Sequence, residues 1–145
     1  MYKFDKENNL RVFLAHPGGP FWKDKDVGAW SIPKGEVEEG ENDLLEVARR
    51  EFREETGIIP PKESEKYFDL GEIKQKSGKI VHAWAFEGDW QGLLMCQSFV
   101  EIDFRGKKIK IPEVDKAGFF SVEDAQKKIN PAQFELVERL VKKIS

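Results

Sequence analysis

The sequence predicts an α+β fold, a mixed β-sheet with helices packed on its faces. Three observations lead there. Segments of alternating apolar and polar residues are broken by short turns rich in Gly, Asn and Asp; three segments instead show helical spacing with recognisable caps; and the two kinds interleave without an internal repeat. Residues 1–4 (MYKF) and 10–16 (LRVFLAH) read as strands joined by the polar turn DKENN. A Gly/Pro-rich loop, PGGPFWKDKDVG, follows and carries two exposed aromatics, Phe21 and Trp22. Next come a brief strand, AWSIP, and a long glycine-punctuated turn, KGEVEEGEN. A helix is expected from Asp43, its N-cap, to Thr56, with Gly57 as the stop and Pro60-Pro61 forbidding continuation. KYFDLGEIKQK and KIVHAWAFEGD form a hairpin around Ser77-Gly78, and FVEIDF and KIKIP another around Arg105-Gly106. GFFS is a short strand, and Ser121 with Asp124 makes a capping box for the next helix. The last helix starts at Pro131 and puts Phe134, Val137, Leu140, Val141 and Ile144 on one face.

The bulk numbers narrow the function classes. At 145 residues the chain is expected to be one domain, residues 1–145, and 39% hydrophobic content with seventeen aromatics suits a packed core. A net charge of −3 does not point to strong non-specific nucleic-acid binding, so DNA is not expected as a partner. The single cysteine, Cys96, excludes an internal disulfide and fits a reducing compartment. The charged start, MYKFDKENNL, is unlike a signal peptide, and no apolar run approaches the ~18–20 residues that span a bilayer. A cytoplasmic protein with no membrane partner is expected; composition does not address its oligomeric state.

One stretch stands out, RREFREETGI at residues 49–58. On a helix at ~100° per residue, with Glu51 at zero, Glu54 falls near ~300° and Glu55 near ~40°. Leu44, Leu45, Ala48 and Phe52 make the core face, whereas Glu46, Arg49 and Arg53 make the solvated one. The three glutamates therefore straddle the edge of the buried stripe. Like charges placed there repel and lose hydration, and a divalent cation offsets both costs. Oxygen donors without His or Cys suit Mg²⁺ or Mn²⁺ rather than Zn²⁺. Arg50, one turn before Glu54, is placed to orient a carboxylate.

The longer segment, GEVEEGENDLLEVARREFREETGI, resembles the box of the Nudix hydrolases, G-x5-E-x7-R-E-U-x-E-E-x-G-U, where U is apolar. Gly35 matches the opening glycine, Glu41 the first acid, and Arg50 through Ile58 the second half. Eight residues separate Glu41 from Arg50 where the pattern has seven, which leaves open whether Glu41 takes its usual supporting place. The resemblance implies the Nudix fold, an α/β/α sandwich around a mixed sheet. It implies hydrolysis of a nucleoside diphosphate linked to another moiety, with Mg²⁺ or Mn²⁺ held by Glu51, Glu54 and Glu55. Glu54 is the first choice of general base, Arg50 a catalytic partner, and Gly57 and Glu41 support the box.

Resemblance also guides the substrate. Lys34, beside Gly35, is similar to a phosphate-contacting lysine of relatives. KSGKIVHAWAF followed by PEVDKAGFFSVEDA resembles the subgroup that cleaves diadenosine polyphosphates, with Lys76 and Lys79 at the phosphates and His82 or Trp84 near a base. Glu113, preferred over Asp115, occupies the region that supplies a further ligand or base in many relatives. The loop HPGGPFWKDKD resembles a bacterial group of nucleotide pyrophosphohydrolases, in which Phe21 and Trp22 would stack on a base or cover the core edge. The expected substrate is a dinucleoside polyphosphate such as diadenosine tetraphosphate. Alternatives are nucleoside triphosphates, ADP-ribose, an RNA 5′ end (less favoured) and, from another class, a Nudix-fold nucleotide-binding module without catalysis.

Overall fold

A computed structural model describes residues 1–34 and 42–145. Gly35 and Glu41 lie outside the described residues. The elements are β1 (Tyr2–Phe4), β2 (Leu10–Pro17), α1 (Leu44–Thr56), β3 (Tyr67–Lys74), β4 (Ile80–Phe86), β5 (Phe99–Phe104), β6 (Lys107–Pro112), β7 (Val114–Ser121), α2 (Val122–Lys128) and α3 (Phe134–Ile144). Short 3₁₀ turns occupy Ser64–Lys66 and Pro131–Gln133. No helix among the described residues is long and apolar enough to cross a membrane.

Strand β2 lies between β1 and β7, antiparallel to both. The β3–β4 hairpin joins them through a parallel bridge from Tyr2 to Glu87, so the assembly is mixed. The β5–β6 hairpin forms its own two-stranded ribbon. Its turn puts Arg105 and Gly106 at φ 52° and 79°, the left-handed pair that tight hairpins favour.

Alternation along β2 explains the layers. Val12 and Leu14 point to one side, where Ala125, Ile129, Leu136, Val137 and Leu140 of α2, α3 and their connection cover them. Phe13 points to the other side and meets Phe52 of α1 and Phe86 of β4. The result is an α/β/α sandwich. The Phe52 ring sits 6.0 Å from Phe13 and 5.2 Å from Phe86, between β2 and β4. Burying one such ring contributes roughly 2–3 kcal/mol, and it fixes the rotation of α1 about its own axis.

Both ends of α1 follow the sequence. The Asp43 side chain accepts a hydrogen bond from the Glu46 N–H at 3.2 Å. Gly57 has φ 79°, and its N–H donates to the Arg53 carbonyl at 2.8 Å. Residues 95–97 finish the cap: Met95 N–H donates to Thr56 O at 3.0 Å, and Gln97 N–H to Glu54 O at 2.6 Å. These bonds satisfy carbonyls that a helix end leaves unpaired.

Several expectations are corrected. AWSIP is no strand: Trp30 and Ser31 make single bridges to Ile129 and Ala15, and Pro33, lacking an N–H, ends the pairing. Leu44, expected in the core, is 37% exposed at the first turn of α1, whereas Val47 and Phe52 are buried. Arg49 is half-buried, its Nε bonded to the Pro61 carbonyl at 2.9 Å, so only Arg53 of the two is open to solvent. The strand at GFFS starts earlier, at Val114. The last helix starts at Phe134, because Asn130 Oδ1 accepts from Ala132 N–H and winds the Pro131 segment as a 3₁₀ turn. Its apolar stripe also includes Leu136, 2% exposed.

Gly57 offers a test of the helix stop. A Cβ there would lie 2.6 Å from Met95 Cβ and 2.8 Å from Met95 O, in a conformation that already disfavours side chains. Gly57→Ala is therefore expected to lower unfolding free energy by about 1–3 kcal/mol in urea denaturation, and an unchanged midpoint would contradict this account of the stop.

Candidate active site

The position of α1 opens a cleft of about 1,070 Å³ along its C-terminal half. Arg50, Glu51, Glu54 and Glu55 line one side, Lys34 and Lys79 the rim, and Glu113, at the corner between β6 and β7, faces them. Seven of the residues singled out in the sequence thus come together from four separate segments. Gly57 stops the helix behind them.

The carboxylates differ in setting. Glu51 and Glu55 are 8% and 5% exposed, whereas Glu54 is half-buried. The Arg50 guanidinium lies 3.2 Å from Glu51 and 3.6 Å from Glu54, so it holds two of the three. Glu55 receives a hydrogen bond from the Lys34 backbone, yet its Oε2 is buried with no hydrogen-bond partner among the described residues. Burial, then the charges of Glu113 and Glu51, push the Glu55 carboxyl from 4.5 up to about 9, with the Lys34 charge opposing them. An unpaired carboxylate oxygen in such surroundings is costly unless it holds a proton or a cation.

Among the described residues, no three His, Cys, Asp or Glu side chains are already disposed to hold a metal ion. The arrangement explains this. Glu54 and Glu51 lean toward Arg50, and mutual repulsion keeps carboxylates from closing on one point. The donor chemistry still fits a hard divalent cation. The oxygens come from carboxylates, one is orphaned and buried, and neither of the protein's histidines lines the cleft.

His82 and Trp84 do not join this group. Their rings stack on each other at 4.1 Å and 4°, and His82 Nε2 bonds Asp69 at 2.7 Å. They line a second, mainly apolar cavity of about 530 Å³ under α1, where the β3–β4 hairpin separates from β2. Lys76 is exposed on the hairpin turn and is not part of the cleft lining. Asp115 is spent elsewhere, bonded at 2.8 Å to the fully buried His16, whose other nitrogen meets the Lys25 carbonyl at 2.6 Å. Glu113 is left to face the cleft.

Sequence reasoning missed Gln133. It is 1% exposed at the floor of the cleft. Its Oε1 accepts from the Ile32 N–H at 3.0 Å, and its Nε2 donates to Ser31 Oγ at 3.2 Å and Gln75 Oε1 at 3.1 Å. One amide thereby ties together the segments that carry Lys34 and Lys79. Its only signal in sequence was a polar residue just before an apolar helical stripe, which looks like an ordinary cap.

A family model of the NUDIX domain matches residues 2–140. The chain belongs to this family. A 17.7 kDa protein from the e-segB intergenic region of Enterobacteria phage T4, itself uncharacterised, is 30% identical over 117 residues, which cover 77% of this chain and 74% of that protein. An RNA pyrophosphohydrolase of Caulobacter vibrioides is 44% identical over 55 residues, covering 34% of this chain and 31% of the relative. The chain thus aligns with about a third of the length of that relative. The fold is similar to a crystal structure of a C. elegans Ap4A hydrolase binary complex, with TM-score 0.65 and 19% identity over 99% of this chain and 92% of that one. The α/β/α sandwich is therefore the Nudix fold.

Glu55 provides a pH test. Its folded-state value lies above its unfolded value, so its contribution to stability is full below about pH 4.5 and is lost as pH rises through about 9. Without divalent metal, Glu55→Gln is expected to gain on wild type across that window, by up to ~1.4 kcal/mol per pH unit. Chemical denaturation at pH 5, 7 and 8.5 reads this directly, and a pH-independent difference between the two proteins would contradict it.

Proposed function

We propose that the protein is a divalent-metal-dependent Nudix pyrophosphohydrolase that cleaves a pyrophosphate linkage in a nucleoside diphosphate derivative. The observation that carries this reading is the buried, unpartnered Glu55 oxygen in a carboxylate cleft rimmed by Lys34 and Lys79. Family membership supports it independently.

In this reading Glu51, Glu54 and Glu55 hold Mg²⁺ or Mn²⁺. When bound, such a cation polarises a phosphoryl oxygen and lowers the pKa of water. The chain's own groups do the rest. Arg50 keeps Glu51 and Glu54 oriented, and Lys34 and Lys79 receive the charge of the phosphate chain. Glu54, the least buried carboxylate of the three, takes a proton from the attacking water. Glu113, on the opposite wall, serves as a further ligand or proton acceptor.

A dinucleoside polyphosphate such as diadenosine tetraphosphate is the substrate we favour. The cleft is larger than a phosphate chain needs, and it shares Lys34, Glu51 and Lys79 with the second cavity. Charged groups at a rim between two cavities suit a phosphate chain with a bulky group at either end. The Ap4A hydrolase neighbour agrees with this choice. A second reading, removal of pyrophosphate from an RNA 5′ end, is favoured by the local match to an RNA pyrophosphohydrolase. The protein is expected to act in the cytoplasm, without a membrane partner.

Glu54→Gln should lower turnover by about 10²–10⁴-fold with an unchanged melting curve, since its side chain is 36% exposed. Near-normal rates would remove Glu54 from the mechanism. Phosphate release should be fastest with diadenosine tetra- or pentaphosphate when these are compared with nucleoside triphosphates, ADP-ribose and 5′-triphosphorylated RNA. A clear preference for RNA would replace the favoured substrate with the second.

A further inference from the structure

The aromatic pair His82 and Trp84 is already stacked and faces the second cavity, so the carboxylate cleft needs another surface for an apolar part of its ligand. That surface lies elsewhere in the lining of the cleft. There the loop residues Phe21 and Trp22 meet Val100, Ile102 and Ile111 of the β5–β6 hairpin in the same cleft lining. Phe21 and Trp22 are 55% and 41% exposed and Val100 is 38% exposed, a concentration of open apolar surface beside a charged wall.

The loop is built to lie against the ribbon. A Cβ on Gly18 would come within 2.1 Å of Pro112 O, and one on Gly19 within 2.4 Å of Ile111 Cδ1, so two successive glycines bring the loop backbone directly onto β6. Gly18 N–H donates to Glu113 O at 3.1 Å, which fastens the loop to the corner that carries Glu113. Phe21 packs edge-on against Phe104 at 5.8 Å, which holds the loop against β5. Lys25 Nζ stands 5.2 Å from the Trp22 ring. The loop, the ribbon and the reacting corner are thus one connected unit.

We infer that Phe21, Trp22 and the inner face of the β5–β6 hairpin form the nucleobase subsite of the cleft, with Trp22 as the stacking platform. The inference rests on the pyrophosphohydrolase reading and deepens it. The cleft lining combines two kinds of surface: carboxylates and lysines that suit a metal-complexed phosphate chain, and apolar and aromatic side chains that suit a planar base. Stacking on an exposed aromatic tolerates any base, so this subsite selects for the presence of a base more than for its identity.

The test compares two ligands with and without a base. Binding of a non-hydrolysable methylene-bridged adenosine polyphosphate and of inorganic tripolyphosphate is measured by calorimetry in Mg²⁺, on the full chain. Trp22→Ala should weaken the nucleotide analogue about tenfold and leave tripolyphosphate within about twofold. Trp22→Phe should recover most of the lost affinity. Equal weakening of both ligands, or an unchanged nucleotide affinity in Trp22→Ala while wild type binds both, would overturn the subsite and leave the pyrophosphohydrolase reading standing. If wild type binds neither ligand, that reading fails and the subsite with it.

Discussion

Burying Phe52 between Phe13 and Phe86 decides what α1 shows to the rest of the molecule. Residues 51, 52, 55 and 56 share one side of a helix, so a ring fixed at position 52 brings Glu51, Glu55 and Thr56 inward with it. Thr56 answers its burial locally, donating to the Phe52 carbonyl at 2.7 Å. Glu51 is answered by Arg50 at 3.2 Å and Glu55 by a hydrogen bond from the Lys34 backbone, which leaves Glu55 Oε2 without a partner among the described residues. Hydrophobic packing on one side of the helix therefore imposes an electrostatic cost on the adjoining side. The site is where that cost is expressed, in the raised Glu55 carboxyl and its unpaired oxygen.

Other parts of the fold bring complementary groups to this helix edge. The sheet's end strand β7 begins at Val114, which sets Glu113 at a corner opposite α1. Gln133 fixes the segments that carry Lys34 and Lys79. The 95–97 segment, bonded to the last carbonyls of α1, leads directly into the β5–β6 ribbon. The proposed cation, phosphate and base surfaces are thereby all tied to α1.

Much of this was legible in the sequence, and the reasons are local. Asp43 and Gly57 bound α1 because capping and left-handed geometry act within a turn. Alternation gave the strands and both hairpins. The placing of Glu51 and Glu55 at the edge of the core followed from helical spacing alone, and the structure buries both. What sequence did not give depended on other segments. Leu44 at the first turn of α1 stays largely exposed, Arg49 is drawn to the Pro61 carbonyl, and AWSIP yields single bridges since its pairing is decided by Ala15 and Ile129. Resemblance suggested His82 or Trp84 near a base, and alternation told which side of β4 they occupy, but neither told which cavity lies over that side. Gln133 was missed for the same reason: the three hydrogen-bonding partners of its side chain lie 58 to 102 residues away.

The central claim, that the buried edge of α1 is a cation site, is tested most directly by diffraction from crystals soaked in Mn²⁺. The account predicts anomalous density ~2.0–2.3 Å from carboxylate oxygens of Glu55 and at least one of Glu51 and Glu54, with the Arg50 ion pairs rearranged. A cleft without anomalous density at millimolar Mn²⁺, with Glu55 Oε2 still unpartnered, would contradict it.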